Sequence, residues 1–455
     1  MQICLDEWFT QYEQQVRILE HCIWENPEIA MEEFYACEQT ANFLKMQGLE
    51  PECFSLSMDN ERPNAVLATY GSGKPVIGII GEYDALPGLG QEAVAKKLSK
   101  AGPGHGCGHC QIISYAVATM AAVKQIMEQE NLPGTLVFMA TPAEEALQGK
   151  VIMAEKGYFD NLDLCFCWHP CDSALSFDYM TSAASSDVVF EFFGKAAHAA
   201  MQPWLGRSAL DAAELMNIGI QYLREHVMED CKMHYNYLSA GNVPNIVPDY
   251  AAVRYLLRSK DKNHEELMER ALQIAEGAAK MTGTTVKRHI KSHCWGSFPN
   301  YTLNNFCYEV AQKMAPIKYT EEEYQFARNL YEAVNNKKAS DNKEALLPTV
   351  MLPPKAIYIA GSSDAGDVSH IVPTIQVRGL GRVKGTPGHH WSMVAISGTS
   401  IGEKAALYAA RVLSQCIYEI LKAPQIVEAC WEEFHQMREQ EQIPSYQKFC
   451  QKNQI

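Results

Sequence analysis

The 455-residue chain contains no apolar run approaching the roughly 18–20 residues of a membrane-crossing helix. Its opening residues, Met1-Gln2-Ile3-Cys4-Leu5-Asp6-Glu7, lack the basic cluster and apolar stretch of a secretory leader. Positive charge is in deficit: 39 Lys and Arg face 54 Asp and Glu, a formal net charge of −15, and no segment is basic. That balance argues against nucleic acid or an anionic membrane as the main partner. Repeats and low-complexity tracts are missing, which sets aside solenoids and disorder. Fifteen cysteines, odd in number and scattered, do not make a disulfide framework and suit a reducing, cytoplasmic setting. Nucleotide fingerprints fail as well. Gly71-Ser72-Gly73-Lys74-Pro75 has the wrong spacing for a phosphate loop and Pro where Ser or Thr is needed, and Gly379-Leu380-Gly381 lacks the dinucleotide spacing.

What is present is an ordinary globular composition, 47% hydrophobic and 20% charged, at a length suited to two or three domains. Trp8, Tyr12, Val16, Leu19 and Ile23 recur at a helical period that Pro27 ends, and a second helix is expected over 31–46. Strands are expected at 65–70, 76–80, 135–140 and 162–168, with a helix over 112–129 between the second and third. That alternation implies an α/β catalytic domain with a mixed sheet flanked by helices. The texture changes near Ser185, where strands at 188–193 and 251–258 alternate with helices at 208–224 and 265–281. It returns to the first pattern after Trp295. The expected organisation is a catalytic domain over 1–185 and 297–455, interrupted by a smaller α+β domain of βαβ type over 186–296. Helices are expected at 321–335 and 401–422, and the last 30 residues read as polar surface.

Five short segments carry the chemistry: Gly81-Glu82-Tyr83-Asp84-Ala85-Leu86-Pro87, Gly104-His105-Gly106-Cys107-Gly108-His109-Cys110, Thr141-Pro142-Ala143-Glu144-Glu145, Trp168-His169-Pro170 and Gly385-Thr386-Pro387-Gly388-His389-His390-Trp391. Loops at the carboxyl ends of α/β strands are where sites are built. These loops supply thiolate, imidazole and carboxylate together, the donor set of zinc-like divalent ions. Glycines around Cys107 and His109 let residues two apart aim at one point. Adjacent carboxylates at Glu144 and Glu145 repel unless a cation is near, so that one can bind metal while the other stays a base. His169 leaves its strand before Pro170, with Cys165 and Cys167 on the same face as small core residues. Of His389 and His390, either could be a ligand. Cys107-Gly108-His109-Cys110 is also a C-x-x-C, so a thiol–disulfide oxidoreductase stands as a rival reading.

With these segments assembled, the chain from about Leu19 to Leu421 resembles the co-catalytic metallo-amidohydrolases of the aminoacylase and carboxypeptidase G type. Further matching segments are Gly194-Lys195-Ala196-Ala197-His198-Ala199 and Gly361-Ser362-Ser363-Asp364-Ala365-Gly366-Asp367-Val368-Ser369. The resemblance implies two divalent ions held by Cys107 as bridge, His109, Glu145, His169 and His389, with zinc or manganese, or else cobalt or nickel, as the metal. It implies Glu144 as general base and Asp84 as the residue that orients a ligand histidine. It further implies His198 as the group that polarises the scissile carbonyl, and Asn245 and Arg258 as substrate contacts. The substrate would be a small N-acyl amino acid or dipeptide such as an aroyl-glutamate. The inserted domain would act as lid and mediate homodimerisation. A companion subunit is a second possibility, in which this chain would be a partner-dependent or non-catalytic component. Two positions depart from the family pattern: Cys110 stands where Asn or Asp is usual, and His390 where Ser is common.

Overall fold

The computed structural model describes residues 2–440 apart from 58, 59, 178, 339–344 and 354–355. The described chain forms two compact units. One comprises the described residues of Met1–Met180, Phe298–Ile357 and Val368–Gln442; the other comprises Thr181–Ser297 and Tyr358–Asp367.

The first unit is built on an eight-stranded mixed sheet. Its strands run in the order Glu52–Phe54, Ala65–Ser72, Gly134–Thr141, Val76–Glu82, Leu164–Cys171, Thr374–Gly381, Leu175–Ser176 and Val350–Met351. The four central strands, from Gly134–Thr141 to Thr374–Gly381, are mutually parallel. Their near-continuous apolar sequences, such as Val-Ile-Gly-Ile-Ile in 76–80, follow from burial on both faces. Helix His109–Glu130 crosses the sheet and is buried along nearly its whole length against Gln2–Glu25 and Ser400–Lys422. By length and composition it would pass as a membrane span, a finding the sequence reading did not anticipate. Its apolar window is instead packed inside the protein.

The expected helices and strands form within a few residues of their predicted limits. The second helix starts at Phe34, after the left-handed Met31 (φ 68°). The polar final segment packs on the surface in part as a helix that the sequence did not mark. Gln425–Gln440 is a helix that buries Cys430 and Phe434, and Glu433 accepts from the amides of Tyr301 and Thr302 at 2.6 and 2.7 Å. Residues 441–455 lie outside the described set.

The second unit is a four-stranded antiparallel sheet, ordered Thr285–Cys294, Ala184–Phe193, Tyr250–Ser259, Lys232–Ser239, with helices Ala209–Leu223 and Asp261–Thr282 packed on it. Two of these strands were not expected. Lys-Met-His-Tyr-Asn-Tyr-Leu-Ser and Thr-Val-Lys-Arg-His-Ile-Lys-Ser-His-Cys are edge strands, and their charged, exposed residues blunt the apolar signal that marks a strand in sequence.

A buried polar cluster lies within this unit. Ser186 Oγ is 2.7 Å from His264 Nε2 and 2.8 Å from His293 Nδ1, and Ser259 Oγ is 2.9 Å from His264 Nδ1. Burial lowers the His264 pKa to about 4, and burial together with His264 holds that of His293 well below its usual value. Both rings are therefore neutral in the native state at pH 7, whereas the unfolded chain takes up protons near 6.5. Their contribution is present above that value and is lost as pH falls toward 4, about 3 kcal/mol for His264 alone. Calorimetry from pH 7 to 4 should show the melting temperature falling in this window, with a shallower fall in His264→Gln.

Candidate metal centre

Each of the four parallel central strands ends in a loop that places one part of the site. The strand Val76–Glu82 delivers Glu82 and Asp84, both buried. Asp84 then performs two tasks: Oδ1 holds His109 Nδ1 at 2.7 Å, and Oδ2 accepts from the Glu145 amide at 2.9 Å. One carboxylate thereby sets the ring of His109, leaves its Nε2 facing the site, and fixes the loop that carries Glu145. His109 begins its helix directly after Gly108, whose φ of 85° is left-handed and where a Cβ would meet Met393 Cε at 2.3 Å. Glycine adopts that turn without backbone strain.

Cys107 Sγ lies 3.2 Å from His169 Nε2. His169 Nδ1 is 2.8 Å from the Pro170 carbonyl, so Nδ1 carries the proton and Nε2 offers a lone pair. The strand Thr374–Gly381 leads to the fourth loop, where His389 Nε2 sits 3.3 Å from Glu145 Oε2. The two adjacent histidines have different surroundings. His390 caps the helix Trp391–Ser397, its Nδ1 2.8 Å from Ser392 Oγ, while His389 joins Cys107 and Glu145.

Three donor groups result, with the atoms in each lying within 4.8 Å of one another: Cys107, His109 and His169; Cys107, Glu145 and His389; and Glu82, His109 and Glu144. Cys107 belongs to two of them. Buried atoms His109 Nε2, Glu145 Oε1 and Glu82 Oε2 have no hydrogen-bond partner. Orphaned buried donors of this chemistry, converging from separate loops, fit divalent cations. Electrostatics agree. Burial, then Glu145, push the Cys107 thiol up to about 12, and burial, with Asp84 and Glu82 adding to it, raises Glu145 to about 7. Burial and His109 lower His169 to about 4, which keeps it a neutral ligand. His109 is held well above its usual pKa because Asp84 and Cys107 outweigh the cost of burial. Negative charge has accumulated here, and a bound cation would reverse its effect on the thiol. Cys110 is buried in the helix with its pKa pushed well above 9 by burial and Glu20. Neither cysteine of the C-x-x-C is thus a poised thiolate, as a disulfide exchanger would require.

His198, Asn245 and Arg258 belong to the second unit. His198 is exposed and bridges to Ile246, and its Nδ1 accepts from the amides of Ala200 and Met201 at 3.2 Å each, which leaves the proton on Nε2. Asn245 is its neighbour in space, its carbonyl accepting from Ala199 N at 3.0 Å. Arg258 lies half-buried in the strand Tyr250–Ser259, with Nη1 3.3 Å from the Ala360 carbonyl.

One residue escaped the sequence reading. Glu33, fully buried at the start of its helix, accepts from the Ala143 amide at 2.7 Å. Ala143 has a φ of 57° and immediately precedes Glu144, so this bond pins a strained turn. In sequence Glu33 looks like any acidic residue near a helix start. Burial, then Asp84, raise its pKa to about 9, so it is a neutral acid at pH 7 whose role an amide could copy. Glu33→Gln should stay within a few-fold of wild-type kcat. Glu33→Leu should lose roughly 10²-fold in kcat through misplacement of the turn, with KM little changed; steady-state kinetics on the two variants decides it.

Residues 78–390 match the profile of peptidase family M20/M25/M40, and the chain belongs to that family. It is a metal-dependent amide hydrolase. Among curated proteins it is 35% identical over 442 residues to a subunit of the p-aminobenzoyl-glutamate hydrolase of Escherichia coli (strain K12), covering 91% of each chain. It is 28% identical to the Xaa-Arg dipeptidase of Mus musculus, over 93% of this chain and 90% of that protein. Among solved structures, the fold is shared with the YXEP protein of Bacillus subtilis, a dinuclear metal binding peptidase of the M20 family (TM-score 0.59, 18% identity, 91% of this chain and 99% of that one).

Proposed function

We propose that the protein hydrolyses the amide bond of small N-acyl amino acids or dipeptides of the p-aminobenzoyl-glutamate kind, using two divalent ions and Glu144 as general base. The observation that carries this reading is the convergence of five donors, Cys107, His109, Glu145, His169 and His389, with a further buried carboxylate, Glu144, whose Oε2 is 3.8 Å from His109 Nε2. Cys107 would bridge the ions, and thiolate with imidazole suits zinc, with manganese, cobalt or nickel as alternatives. When bound, such ions polarise the scissile carbonyl and bring the pKa of a nearby water toward about 7.

The chain's own groups do the rest. Glu144 takes a proton from the attacking water and passes it to the departing nitrogen. Asp84 holds His109 in the required tautomer. The Nε2–H of His198 donates to the developing oxyanion, and Arg258 and Asn245 bind the substrate's carboxylate and amide. The second unit acts as lid and dimerisation surface, and the protein works in the cytoplasm.

The experiment is elemental analysis of chain purified without added metal, joined to an assay of amino-acid release from a panel of N-acyl amino acids and dipeptides with and without chelator. Two metal equivalents and chelator-sensitive cleavage are expected. Two different Escherichia coli chains are named as subunits of the p-aminobenzoyl-glutamate hydrolase, and this chain is similar to both. That supports a second reading, a chain active only with a companion subunit. A metal-loaded but inactive single chain would favour it.

A further inference from the structure

Glu82 stands outside the five-donor set, yet its carboxylate is built into the site. It ends the strand Val76–Glu82, is buried, and divides its two oxygens between different neighbours. Oε1 lies 2.9 Å from Nζ of Lys150, an ammonium that is itself fully buried. Oε2 has no hydrogen-bond partner and lies 3.6 Å from His109 Nε2, which is equally buried and equally without one. Glu144 contributes the third atom of this group, all three within 4.8 Å. Two carboxylates facing one region of the interior repel each other and forgo solvation unless a cation stands among them.

Charge counting is compatible with that arrangement. With Cys107 as thiolate, the centre holds five anionic groups: Cys107, Asp84, Glu82, Glu144 and Glu145. Two divalent ions neutralise four of them, and the Lys150 ammonium neutralises the fifth. A buried lysine without a counter-ion would be strongly destabilising, and Glu82 supplies that counter-ion through Oε1 while Oε2 remains directed at His109.

We propose that Glu82 is a sixth protein donor to the metal centre, on the His109 side, with Lys150 as the counter-ion that anchors its carboxylate. The inference rests on the two-ion reading above. The test compares wild type, Glu145→Gln, Glu82→Asp, and the double variant Glu82→Gln with Lys150→Met. The double variant removes both buried charges at nearly constant volume. Ion affinities are measured by competition with a chromophoric chelator, and thermal melting of the metal-free proteins reports folding. The double variant is expected to melt near wild type when metal-free, yet to bind one of its two ions at least 10-fold more weakly. Glu82→Asp keeps the charge beside Lys150 but is one methylene shorter, and should show the same loss. If the double variant does not fold, Glu82→Asp alone decides. Wild-type affinity for both ions in a folded Glu82 variant overturns the proposal. Fewer than two ions in wild type, or no loss in Glu145→Gln, would instead sink the two-ion reading itself.

Discussion

Glu144→Gln is expected to lower kcat by roughly 10²–10⁴-fold, the usual contribution of a general base, while metal content and KM stay close to wild type. The substitution is nearly isosteric, and the turn that presents Glu144 is held by other atoms: the Glu33 bond to Ala143 N and the Asp84 bond to Glu145 N. What disappears is an oxygen able to accept the water's proton and return it to the leaving amine. Glu145→Gln, one residue on, should behave differently, because Glu145 shares a donor group with Cys107 and His389. That variant should lose metal first and activity as a consequence. Steady-state kinetics and elemental analysis on the same preparations separate the two. A Glu144→Gln enzyme that turns over at the wild-type rate would remove the assignment of the base.

Metal removal should have the second large effect, on stability as well as rate. An ion that binds only the folded chain stabilises it by about 4 kcal/mol per site at a free concentration 1,000 times its Kd. Chelation should therefore lower the melting temperature of the first unit by several degrees, and zinc or manganese should restore it. The dependence on pH has a definite sign. Without metal the Cys107 thiol keeps its proton up to about 12, so an ion must displace that proton to bind. His109, held well above its usual pKa, must give up a proton as well, so affinity should rise by more than about tenfold per pH unit around pH 7. Below about 7, where Glu145 also holds a proton, the rise should be steeper. A competition titration at pH 6, 7 and 8 measures this, and an affinity independent of pH would count against Cys107 as a ligand.

Much of the candidate metal centre is legible in the sequence because its proposed donors sit in short glycine- and proline-marked loops directly after apolar strands. Cys107, His109, Glu145, His169 and Asp84 could each be picked out with no knowledge of their distances. The two unanticipated strands of the second unit, Lys232–Ser239 and Thr285–Cys294, were hidden because an edge strand exposes one side and carries charge there. The helix Gln425–Gln440 was hidden because only Cys430 and Phe434 of it are buried, too few to raise its apolar content.

Composition, residue spacing and loop chemistry by themselves determined the class of fold, the acidic charge balance and the identity of the loops that carry the candidate donors. Those properties are local or summed, and a linear chain carries them openly. The tertiary structure decided everything that depends on which distant residues meet in low dielectric. It set His389 beside Glu145 and gave His390 a helix to cap. It placed Glu33 on Ala143 across 110 positions and buried Lys150 against Glu82. An acidic residue near a helix start and a lysine in a first helical turn look solvated in any sequence. Their roles come from burial and partner geometry, which exist only once the sheet has brought four strand ends together.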